Sequence, residues 1–247
     1  MRVTSNRAAS LVCLLLVLAL GSGCGRLGDE GEVRESGASA LPSGSLEAWA
    51  TYGDYLVEWQ VDSERRLPPT PDERAADEGT ITRLVTVRTS RTGWKRPSAP
   101  DELTAPATLD VASGGWAFHG KKEKRFDLGD GPRLEVGHRY LAVLTFTDLS
   151  AMSTEPRGAE WIALDHVALD DGRVVARAAD RGEPAGLDEA IGGKTLAEVG
   201  ALVAATPVDP AAKRYLELDP VVRFQRAADD TIASSSYTPG PGPGEKE

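Results

Sequence analysis

Cysteine is almost absent from this chain. Only Cys13 and Cys24 occur in 247 residues, so a disulfide framework or a cysteine zinc cluster is excluded. Histidine is scarce: His119, His138 and His166 lie 19 and 28 residues apart (138 − 119, 166 − 138). Metal-binding histidines usually recur within one helix turn or a short loop, and this spacing supplies no such set. No Gly-x-Ser-x-Gly elbow, Ser-x-x-Lys pair or phosphate-cradling glycine loop is present. The expectation is a chain with no metal, no cofactor and no enzymatic activity. Long apolar runs are missing too, except for Leu11–Leu20. Ten residues make a helix of about 15 Å, half of a bilayer core of about 30 Å. A basic surplus is also lacking. The formal charge is −10, which disfavours nucleic acid as a partner.

The one apolar run stands in an informative context. Met1–Ser10 carries Arg2 and Arg7 and no acid, and Gly21-Ser22-Gly23 follow the run directly before Cys24. These are the zones of a secretory signal peptide. The arrangement resembles that of bacterial lipoproteins, with Gly21 at the position where the family usually has leucine. The resemblance implies cleavage before residue 24 and acylation of Cys24, which places the protein on the extracytoplasmic face of a cell membrane. Cleavage without acylation would make it a secreted protein instead. Loss of residues 1–23 removes two arginines and takes the charge from −10 to −12. Cys13 leaves with the signal, and no other thiol then remains for catalysis.

Residues 24–44 follow as the lipidated cysteine and a Gly/Ser/acid-rich tether. Residues 45–226 form the globular domain, and residues 227–247, ending in alternating Pro and Gly, are expected to be a disordered tail. Within the domain, Ser45 is placed to cap a short helix through Tyr52. Tyr55–Asp62 alternates, with Tyr55, Val57, Trp59 and Val61 on one face and Glu58, Gln60 and Asp62 on the other. Residues 65–79 read as a loop, 80–90 as a β-branched strand, and 108–112 as a weaker one. Arg139–Thr147 is apolar on both faces, as in a strand covered twice. Trp161–Leu169 is another strand, and Asp170-Asp171-Gly172 signals a hairpin into Arg173–Arg177. The period then changes. Thr195-Leu-Ala-Glu198 is a capping box for a helix with Leu196, Val199, Leu202 and Val203 on one face. Asp209-Pro210 starts a second short helix through Leu218.

The expected fold is mainly β: an OB-like small barrel or sandwich of five to six strands with one or two C-terminal helices. A resemblance agrees with this. Tyr55–Val61, Thr92-Gly93-Trp94-Lys95, Gly114-Gly115 and Leu134-Glu-Val-Gly137-His-Arg-Tyr140-Leu141 follow one another as in the OB-type barrels of netrin modules and metalloproteinase inhibitors, over about Tyr55–Thr147. Arg96 stands where those domains usually have glycine, and their disulfides are missing here.

Four features compete for a functional role. Trp94 and Trp116 lie beside glycines and form a possible recognition surface for a protein or glycan. Asp165-His166 invites a dyad reading, but neighbouring strand residues face opposite ways. Asp127–Gly131 and Asp170–Gly172 lack calcium-loop spacing and read as turns. Lys121-Lys122-Glu123-Lys124-Arg125 is the one basic run, and reads as a solvated loop or a lysine-protected strand edge. The function expected is a membrane-anchored, monomeric, non-catalytic binding or envelope-associated module. A cell-surface hydrolase and a secreted protein inhibitor are the alternatives.

Overall fold

A computed structural model describes residues 33–35, 41–128, 131–148, 158–176 and 186–234. In chain order these form β1 (Val33–Glu35), α1 (Leu46–Tyr52), β2 (Tyr55–Arg66), α2 (Pro71–Ala76), β3 (Glu78–Lys95), β4 (Thr108–His119), β5 (Lys122–Leu128), β6 (Arg139–Asp148), β7 (Ala159–Asp170), β8 (Arg173–Val174), α3 (Leu187–Ile191), α4 (Leu196–Ala205), a 3-10 turn at Lys213–Tyr215 and α5 (Pro220–Ser234). The protein is mainly β. Strands β2 to β8 make one antiparallel sheet in the order β5-β4-β3-β2-β6-β7-β8, and β1 joins the β5 edge in parallel.

The centre of the sheet is buried on both faces. Tyr55, Val57, Trp59 and Val61 line one face with Val85, Val87, Tyr140, Ala142 and Leu144, which is the face their alternation predicts. Leu56, Leu141, Val143, Val167 and Leu169 point the other way, under Trp49 of α1, Leu187 and Ile191 of α3, and Leu196, Val199 and Val203 of α4. A third cluster joins Leu41, Ala48 and Tyr52 to Phe224, Ala227 and Ala228 of α5. β6 is therefore apolar on both faces, as read from its sequence.

The first face is covered because the sheet bends over itself. In a flat sheet β4 and β7, four strands apart, would be separated by about 19 Å. Here Val111–Gly114 of β4 and His166 of β7 line one small pocket together with Gly131–Leu134. Register shifts in the β2–β3, β3–β4 and β6–β7 pairs supply the bends. Among the described residues the two edges do not pair with each other, so the strands make one open sheet and not a closed barrel. The layers are one curled sheet and the helices packed on it.

Local chemistry explains several boundaries. The Ser45 hydroxyl accepts from Ala48 N at 3.0 Å. Thr195 and Glu198 complete their capping box. Asp171 (φ 45°) and Gly172 (φ 73°) take the left-handed pair that a two-residue hairpin needs. Gly115 is required by close approach, because a Cβ there would collide with the Ile81 carbonyl.

Several expectations are corrected. Residues 65–79 are not all loop: β2 runs to Arg66, and Thr70 and Glu73 form a capping box for α2, with Pro71 in its first turn. The basic run forms β5 at the edge of the antiparallel strands, the strand-edge reading rather than the loop, and it brings the antiparallel strands to seven where five or six were expected. Asp209-Pro210 leads into a single 3-10 turn. The same Asp-Pro signal recurs at Asp219-Pro220, where Asp219 accepts from Val221 N at 3.0 Å and α5 begins. That helix carries buried Ala227 and Ala228, so the folded domain continues beyond residue 226. At the other end Leu41 is buried and β1 pairs with β5, so part of the expected tether belongs to the fold.

Candidate functional site

The open side of the curled sheet is filled by residues 131–138, which approach β6. The His166 Nε2 lies 2.7 Å from the Pro132 carbonyl. The Tyr140 hydroxyl donates to Arg133 O at 2.8 Å and accepts from Glu135 N at 2.9 Å. Arg83 donates to the Leu134 carbonyl from beneath. Arg133 reaches Asp127 at 2.9 Å and Glu135 at 3.2 Å. Burial pushes the Tyr140 phenol up. Burial, helped by the Arg133 charge, pulls Arg83 down, although Glu64 at 2.9 Å partly restores it. The pocket between this segment, β4 and β7 measures about 40 Å³. That volume holds a few waters and falls far short of the several hundred Å³ of an organic ligand site.

The histidines stay apart. His166 is held by Pro132 and stands edge-on to Tyr140, with centroids 6.0 Å apart. His119 is exposed at the β4–β5 turn, 3.4 Å from Glu78. His138 is exposed in the turn before β6. Asp165 faces the helices and accepts from the Trp49 indole at 3.0 Å, opposite to the His166 ring. Among the described residues no group of three or more His, Asp or Glu is placed to hold a metal ion. No helix among them is long and apolar enough to cross a membrane.

Trp94 and Trp116 are not brought together. Trp94 is opposite Leu56 near the end of β3, and Trp116 is opposite Ile81 near its start. Thirteen strand positions (94 − 81) separate those ends, roughly 40 Å along the chain. Trp94 packs half-buried against the helix-side core. Trp116 lies under the Arg66 guanidinium at 4.2 Å and near that of Arg133 at 5.3 Å. Cation–π contacts within the chain thus engage the ring offered as a recognition residue. Cys24 lies outside the described residues.

Two buried ionic groups escaped the sequence reading. Asp54 is fully buried between Arg96 and Arg223, themselves 4 % and 3 % exposed. Its carboxylate accepts from Phe146 N at 3.0 Å and Thr145 Oγ1 at 3.2 Å, and pairs with Arg223 and, at 3.5 Å, with Arg96. Arg96 also donates to the carbonyls of Ala50 at 2.9 Å and Thr51 at 2.8 Å, and to that of Gly53, closing the end of α1. Burial and the neighbouring Arg223 push Arg96 down to about 10, so it stays charged at neutral pH. Glu58, expected on a polar face, is also buried, because Arg91 on β3 and Arg139 on β6 close over it from either side. Its only sequence signal was an acid in a strand whose neighbours supply arginines. Both carboxylates are paired with arginines inside the fold, and only Arg223 Nη1 of the first group is left without a hydrogen-bond partner among the described residues.

Comparison with protein-family models, curated proteins and solved structures finds no match to this chain.

Proposed function

We propose that this protein is an exported lipoprotein, held on the extracytoplasmic face of a membrane by acylated Cys24, with a non-catalytic binding or envelope-associated domain. The observation that carries the reading is the order of basic start, ten-residue apolar run, small residues and cysteine over Met1–Cys24. A lipoprotein cysteine bears at least two acyl chains. One chain binds a membrane only marginally, whereas two give stable attachment. The domain's contacts fall to its rims and loops, since both faces of its sheet are spent on its own core. A protein or a glycan is the expected partner class. An OB-like kinship rests on the resemblance over Tyr55–Thr147 alone.

The test is metabolic labelling with palmitate, followed by fractionation, for wild type and Cys24→Ala. Wild type is expected to be labelled and to stay with membranes, and the variant to be unlabelled. Equal labelling of the two would end the lipoprotein reading.

A further inference from the structure

We draw no further inference here: the strongest candidate, the pocket of about 40 Å³ that Ser113, Asp127, Arg133 and His166 line between β4 and β7, belongs to the site already described and admits only water-sized groups, with its Arg133 and His166 already engaged by Asp127 and the Pro132 carbonyl.

Discussion

Asp54→Asn tests the packing account most severely. The side chain keeps its size and one carbonyl oxygen, so the contacts to Phe146 N and Thr145 are retained in part. What disappears is the negative charge between two guanidinium groups that are 4 % and 3 % exposed. Breaking a buried ion pair by neutralising one partner costs about 3–5 kcal/mol, because the other charge stays buried without compensation. In a chain of this size each kcal/mol moves Tm by about 2–4 °C, so a drop of roughly 10 °C is expected. Arg223→Met removes charge from the opposite side. It should cost less, since Arg96 still neutralises Asp54 and Arg223 Nη1 has no hydrogen-bond partner to lose. Urea unfolding followed by far-ultraviolet circular dichroism gives all three stabilities. The double variant is expected to be no less stable than Asp54→Asn alone, as groups acting in one network are not additive. A loss below about 1 kcal/mol for Asp54→Asn, the range of an exposed pair, would refute the reasoning.

Other perturbations reach different parts of the fold. Gly200→Ala places a methyl against the Gly93 carbonyl where α4 crosses β3, and thermal melts should show a loss of about 1–3 kcal/mol from overpacking. Burial alone would raise the Glu73 carboxyl, but hydrogen bonds from the Thr80 and Thr70 amides outweigh it and hold it below the usual carboxylate range. A carboxyl lowered in the folded state stabilises above its unfolded pKa, and the contribution is lost as pH falls through the folded value. The drop in Tm between about pH 7 and about pH 3 should therefore be smaller in Glu73→Gln than in wild type. An equal drop in the two would contradict that role. Tyr140→Phe strands the Arg133 carbonyl and the Glu135 amide, which should cost about 1–3 kcal/mol in denaturant titration. The raised Tyr140 phenol loses its stabilising effect as pH rises through its folded value. The variant should therefore lack that part of the alkaline loss seen in wild type.

Periodicity and turn chemistry made the sheet readable where the signal is local. Tyr55–Val61 alternates toward one core, Asp171-Gly172 takes the left-handed turn, and Thr195-x-x-Glu198 caps α4. The capping box at Thr70 and the Asp-Pro start at Asp219 were equally local, but the first lay in a charge-rich segment read as loop and the second followed directly on the helix expected from Asp209-Pro210. The bending of the sheet was not legible, because it depends on register shifts set by partners far apart in sequence. The same holds for Asp54, whose partners Arg96 and Arg223 lie 42 and 169 residues away (96 − 54, 223 − 54). Trp94 and Trp116 shared a local context of glycine, but Trp94 stands near the end of β3 and Trp116, on β4, pairs opposite its start, and only the strand register separates them. The candidate address is different in kind, since a signal of this type is read from the linear chain before any folding.

Intact mass spectrometry of the protein extracted from its own membranes tests the central proposal most directly. The account predicts a chain beginning at Cys24, heavier than residues 24–247 by a diacylglyceryl group and any further acyl chain on its amine. A mature chain with an unmodified cysteine, a start at another residue, or residues 1–23 still attached would contradict it.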